Sequence, residues 1–156
     1  AEGIVPIVAR AGMEIVLDGD TNVMLRILYP FADVSFMRDR NDASVAAQLV
    51  YGENEFLFTG DASVIIEERL IERYGSALRS DVLKLGHHGS RTSSSAEFLR
   101  AVRPELAVVS ADENNSYGHP HAEVVDRLRV MAINIVGTHR GGSVTLQSDG
   151  EYIWVD

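Results

Sequence analysis

The chain has 156 residues, is 46% hydrophobic and carries a formal net charge of −9, which suits one domain with a core of its own and argues against a non-specific nucleic-acid surface. That charge still leaves room for a nucleic acid held through bound divalent cations, which are often the largest local charges in a site. There is no cysteine, hence no disulfide framework and no thiolate site, and no apolar run approaches the roughly 18 residues of a membrane span.

The N-terminal AEGIVPIVARAG is too short and too polar for a signal peptide. Ile4 to Val8 already read as interior sequence, as expected of a piece cut from a longer protein. Residues 4–11 fit a short helix or an extended segment, with Pro6 weakening both. Met13 to Leu17 reads as a strand ending at the turn Asp18-Gly19-Asp20. Val23 to Tyr29 alternates as a second strand and Pro30 ends it. Residues 31–42 read as an irregular charged loop. Ser44 to Tyr51 and Glu55 to Thr59 flank Gly52-Glu53-Asn54 and predict a hairpin.

From Ala62 to Tyr74 a helix is expected, with Val64, Ile65, Leu70 and Ile71 inward, Glu67, Glu68, Glu72 and Arg73 outward, and Gly75 as C-cap. Val82, Leu83 and Leu85 carry a short strand that stops at Gly86. Ser94 or Ser95 then caps a helix over Ala96 to Val102, which Pro104 stops. Leu106 to Ser110 is a strand, residues 111–120 a polar loop, and His121 to Met131 a helix with Val124, Val125, Leu128 and Met131 as its stripe. Ile133 to Gly137, Ser143 to Gln147 and Tyr152 to Val155 are three short strands. Strands, hairpins and about three helices interleave, so the fold class is α/β, mixed sheets covered by helices, in a single domain over residues 1–156.

Three loops that follow strands carry ligand-type side chains: Thr59-Gly60-Asp61, His87-His88-Gly89-Ser90 and Tyr117-Gly118-His119-Pro120-His121. Four of the five histidines fall in the latter two. Loops leaving one edge of a sheet converge even when far apart in sequence, and a carboxylate with imidazoles suits zinc, manganese or iron. Each feature also has a plainer reading. Asp61 serves equally as a helix N-cap, the His-His pair as a solvated turn, and His121 as part of a first helical turn. His139 reads as surface, and Glu67-Glu68 and Asp112-Glu113 as solvated faces. Ser90 beside His88 has the look of a nucleophile and base without an orienting third residue. No phosphate-binding glycine loop and no G-x-S-x-G elbow is present.

The segments NDASVAAQLVYGENEFLFTGDA, DVLKLGHHGSRTSSSAEFL and YGHPHAEVVDRL resemble, in this order and spacing, the C-terminal part of the ComEC family of DNA-uptake competence proteins. There the region belongs to a metallo-β-lactamase-like domain, and the resemblance covers about residues 13 to 150. It implies the C-terminal half of a four-layer αβ/βα sandwich with a two-metal hydrolytic site. It also implies a phosphodiesterase or nuclease acting on single-stranded or duplex DNA, within a bacterial membrane protein whose channel part lies on the same polypeptide. Carried over by motif, Asp61 is the bridging carboxylate and His87 the favoured histidine ligand. His88, Ser90 and His119 are catalytic, and Ser90, Thr92, His119 and His121 face the substrate phosphate.

The family's main metal motif, H-x-H-x-D-H, is absent, since no histidine precedes His87. The expectation is therefore a half domain in which zinc or manganese is absent or weakly bound, with little hydrolysis by this chain alone. A half domain also leaves an apolar face for a homodimer. The chain itself reads as soluble, and the resemblance implies a domain outside the cytoplasm. The alternatives are a non-catalytic accessory domain that gates the channel or binds DNA or partners, and a phosphocholine-esterase-like hydrolase.

Overall fold

The computed structural model describes residues 6–156. Strands β1 (Glu14–Asp18), β2 (Val23–Tyr29), β3 (Ala46–Tyr51) and β4 (Asn54–Phe58) pair as an antiparallel meander. Strands β5 (Val82–Lys84), β6 (Leu106–Val109) and β7 (Asn134–Gly137) then extend the same sheet parallel to β4, in chain order. Parallel neighbours need a crossover. Helices α1 (Val64–Tyr74), α2 (Ala96–Val102) and α3 (Ala122–Val130) supply one between each pair. The mixed α/β class is thus as the sequence predicts.

Side chains alternate faces along a strand. The register aligns Leu57, Leu83, Ala107 and Ile135 in one row and Phe56, Val82, Leu106 and Asn134 in the next. The first row joins the core cluster of Ile66 and Leu70 from α1, Phe98, Leu99 and Val102 from α2, and Val124 and Leu128 from α3. All three helices therefore cover one face. Burying each of these aliphatic or aromatic side chains is worth roughly 1.5–3 kcal/mol.

The other face is met by the hairpin of β8 (Leu146–Ser148) and β9 (Ile153–Val155). Leu146 borders Phe56, Val82 and Val108, while Ile153 and Val155 border Leu106 and Val136. Asn54 fastens the hairpin: its amide donates to the Glu151 carbonyl at 3.2 Å and its oxygen accepts from Ser148 Oγ at 2.6 Å. Ile15, Val16, Leu17 and Phe58 stay exposed.

Several expectations shift. Of the 4–11 segment, residues 4 and 5 lie outside the described residues, and residues 6–10 have no regular structure. Tyr51 pairs with Asn54, so the hairpin turn is Gly52-Glu53 alone, with Gly52 at φ +59°. The N-cap of α1 is Ser63, not Asp61. His139 is half-buried, with its ring against Gly137 rather than at the surface.

The largest correction is the phase of α1. Its inward stripe is Ile66, Glu67 and Leu70, while Ile65 is 55% exposed. Glu67 is 1% exposed and its carboxylate accepts the backbone N–H groups of Ser94 and of Ser95, the latter at 2.9 Å. Arg127 of α3 donates to the Ser94 carbonyl in the same spot. One acidic side chain thus ties α1 to the end of the loop after β5. Burial pushes the Glu67 carboxyl above its ordinary value, against the opposing pull of the Ser95 and Ser94 bonds and of Arg127.

A raised folded-state pKa means the contribution is present at acidic pH and is lost as pH rises through that value. Glu67→Ala leaves two buried N–H groups unpaired. It should lower the unfolding free energy by about 2–3 kcal/mol, with a larger gap at mildly acidic than at neutral pH. Urea unfolding of both proteins at the two pH values checks the size and the sign.

Candidate functional site

Because β4, β5 and β6 run parallel, the loops that leave their carboxyl ends emerge at one edge of the sheet, the usual place for a site in such folds. These loops are residues 59–63, 85–95 and 110–121. Backbone bonds join them into one body. His87 N–H donates to the Gly60 carbonyl at 3.0 Å, Val64 N–H to Thr92 at 2.9 Å, and His121 N–H to Gly89 at 3.0 Å. Gly89 sits at φ +82°, and a Cβ there would lie 2.7 Å from Pro120 Cβ, so no other residue fits the contact between the second and third loops.

His87 (φ 46°, ψ 46°) and His88 (φ 58°, ψ 20°) are both left-handed. Two consecutive non-glycine residues there cost on the order of 1–2 kcal/mol each, a kind of strain that concentrates at functional sites. The strain aims the rings. His88 Nδ1 lies 2.6 Å from the Ser110 carbonyl. A carbonyl only accepts, so Nδ1 carries a proton, and in the neutral ring the lone pair is on Nε2. That nitrogen lies 3.9 Å from Asp61 Oδ1. An imidazole oriented through Nδ1–H to a carbonyl, with a bare Nε2 beside a carboxylate, is the arrangement of a metal-ligating histidine.

The other imidazoles crowd around His119, whose ring centroid lies 4.8 Å from His121, 5.5 Å from His87 and 6.3 Å from His88. Burial, and then the neighbouring His121, His87 and His88, hold His119 below the usual histidine pKa. It therefore stays neutral at neutral pH. His121 accepts the Arg91 N–H at Nδ1, at 3.1 Å, which leaves its remaining proton on Nε2. Asp61, His87, His88, Ser90, Thr92, His119 and His121 are thus brought to one edge.

Two details differ from the pattern expected of the motifs. Asp61 faces His88, whereas His87 Nδ1 faces Thr92 Oγ1 at 3.5 Å. Ser90 is buried, and its Oγ bonds to Thr92 through Oγ1 at 3.0 Å and through the N–H at 3.4 Å. Among the described residues, no three His, Asp or Glu side chains are arranged to hold a metal ion. A zinc site takes three or four protein ligands, so the Asp61–His88 pair does not by itself make one.

Sequence reading missed four contributors. Glu67 braces the loop from below. The Ser110 carbonyl fixes the His88 tautomer. Asn115 clamps the third loop, donating to Asp112 O at 2.6 Å and His119 O at 2.7 Å and accepting from His119 N–H at 2.9 Å. Lys84, on β5, is driven by burial below the ordinary lysine pKa, and the Asp61 charge opposes that drop. Its Nζ donates to Leu85 O at 2.9 Å. A lysine set within the apolar run VLKL, and a glutamate between Ile66 and Leu70, were the available signals.

If the left-handed backbone stores strain, glycine at position 87 relieves it and a β-branched residue worsens it. His87→Gly should unfold with a free energy equal to or above that of the parent, and His87→Val should lose about 2 kcal/mol or more. Denaturant unfolding ranks the three proteins.

Comparisons with known proteins bear on the family and the fold. A family model described as the metallo-beta-lactamase superfamily matches residues 18–112. The chain is 44% identical over 106 residues to "Competence protein ComA" of Neisseria gonorrhoeae, covering 68% of this chain and 15% of that protein. It is 32% identical over 105 residues to "ComE operon protein 3" of Bacillus subtilis, covering 67% of this chain and 13% of that protein. The chain thus spans only about 15% or less of the length of these relatives. Among solved structures, a candidate metal-dependent hydrolase from Parabacteroides distasonis superposes with a TM-score of 0.52 at 13% identity, over 83% of this chain and 56% of that one. That likeness speaks to the fold alone.

Proposed function

The chain belongs to the metallo-β-lactamase superfamily, and from that premise we propose that it forms part of a metal-dependent phosphodiesterase or nuclease site in a membrane protein of DNA uptake. The observation that carries this reading is the Asp61–His88 pair, with the His88 tautomer set by Ser110 so that its bare nitrogen faces the carboxylate. Divalent cations of this superfamily, when bound, supply hydroxide at neutral pH and stabilise an in-line displacement at phosphorus. The chain's own residues position and recognise. Asp61 and one histidine contribute ligands, and the geometry here favours His88 over His87. His121 and the Thr92 hydroxyl offer donors to a phosphate oxygen, and neutral His119 is suited to accept or pass a proton.

The two donors on this chain are one part of a ligand set, and the remaining ligands come from elsewhere in the parent polypeptide. The exposed apolar residues Ile15 and Phe58, which share the hairpin-side face of the sheet, are where a second layer of the sandwich, or a second copy, would pack. Among the described residues no helix is long and apolar enough to cross a membrane. A membrane channel elsewhere on the parent polypeptide and a position outside the cytoplasm belong to this proposal and rest on the likeness to competence proteins. The shortage of ligands favours, as a second reading, a non-catalytic domain that gates the channel or binds DNA.

Calorimetry of this chain together with hydrolysis by the complete parent protein separates these. This chain should bind at most one zinc or manganese ion weakly and should not turn over an oligonucleotide. In the complete parent protein, Asp61→Asn and His88→Ala should each reduce metal-dependent phosphodiester hydrolysis about 100-fold or more. Two tightly bound metals with turnover in this chain would contradict the division of ligands. A parent protein without metal-dependent hydrolysis would support the accessory reading.

A further inference from the structure

Beside the histidines opens a cavity of about 300 Å³, bordered by His88, Ala111, Asn115, Tyr117, His119 and Thr138. That is the low end of small-ligand pockets. Ser110 and Asp112 border it as well, and several of its polar groups are already engaged. Asn115 is consumed by its own loop. Thr138 Oγ1 accepts from Ala111 N–H at 3.0 Å and donates to Ala111 O at 2.7 Å, and His88 Nδ1 is committed to Ser110. What the cavity offers a ligand is therefore mainly apolar and aromatic surface, with the Ser110 hydroxyl and the Asp112 carboxylate at its border.

That surface is ordered. The His119 ring stacks with Tyr117 at 5.7 Å and 21° and with His88 at 6.3 Å and 18°. These near-parallel rings continue from the Asp61–His88 pair out to Tyr117, which is 77% exposed. Among the described residues, no aromatic ring other than His119 stacks on Tyr117. A run of parallel rings that ends in an open aromatic face suits another planar ring, because every base has a π-face and stacking needs no hydrogen-bond readout. A quaternary ammonium would instead call for a cage of several aromatic faces, whereas Tyr117 and His119 form one stack with a single open face.

We propose that this cavity is a nucleobase subsite, in which a base stacks on the Tyr117–His119 platform while its phosphate lies toward Asp61 and His88. It rests on the phosphodiesterase reading and adds to it a place for the base, with little preference among bases. Tyr117 is the specificity-determining residue. It does not touch the Asp61–His88 pair, so its loss leaves that end intact.

Half-ligands separate the two ends. Deoxyadenosine, which has a base and no phosphate, and deoxyribose 5-phosphate, which has the reverse, are titrated into this chain with NMR detection of the Tyr117 and His119 rings. Deoxyadenosine should shift both rings. Tyr117→Ala should weaken it about tenfold, Tyr117→Phe should keep it within about twofold, and deoxycytidine should behave alike. Tyr117 is exposed, so both variants should fold, which the remaining spectrum shows. The subsite is overturned if deoxyadenosine leaves the rings unshifted, if Tyr117→Ala binds as the parent does, or if choline chloride binds there as tightly. Deoxyribose 5-phosphate reports on the other end separately. The phosphodiesterase reading is tested apart, by metal-dependent phosphodiester hydrolysis in the complete parent protein. If that is absent while deoxyadenosine binds here, the base subsite stands and the phosphodiesterase reading falls.

Discussion

Four strands in unbroken parallel order, β4 to β7, are the constraint on which the rest depends. Parallel pairing requires each chain segment to cross back over the sheet, and the three crossings all pass on one face. The carboxyl ends of β4, β5 and β6 are therefore adjacent, and three loops separated by up to 60 positions in sequence share one edge. Gly60 to His87, Val64 to Thr92 and Gly89 to His121 are the backbone bonds that make them one surface. Without the parallel register, Asp61 and His88 would have no reason to meet.

That surface is held against its own preferences. The loop carries two left-handed histidines in succession and packs Gly89 directly on Pro120. Glu67 meets it from below with a buried carboxylate that accepts two backbone N–H groups. Burying a carboxylate is costly unless such partners exist, and the raised Glu67 pKa says the compensation is incomplete. Stability is given up so that two imidazoles point where they do. That pattern is expected of a site and not of a surface turn.

Much of this was readable from the residues. The alternation of Val23 to Tyr29, the Gly52 turn and the cap at Ser95 are local signals, and they locate the elements within a residue or two. The loops also announce themselves, because Gly, His and Ser after short apolar runs have few other uses. The buried glutamate was misread because Val64 and Ile65 offered a stripe one position out of phase, and tertiary packing chose Ile66, Glu67 and Leu70 instead. The role of His88 depended on a carbonyl at Ser110, 22 positions away and without a side-chain signature. Tyr117 was quoted only as a neighbour of His119, since ring stacking has no sequence pattern.

The central claim is that the three loops present one partial metal site centred on Asp61 and His88. Paramagnetic broadening by substoichiometric Mn²⁺ in NMR spectra of this chain tests it most directly. The account predicts weak, shared broadening of signals from Thr59 to Asp61, His87 to Gly89 and His119 to His121. Broadening confined to acidic surface pairs such as Asp112-Glu113, with those three loops untouched, would contradict it.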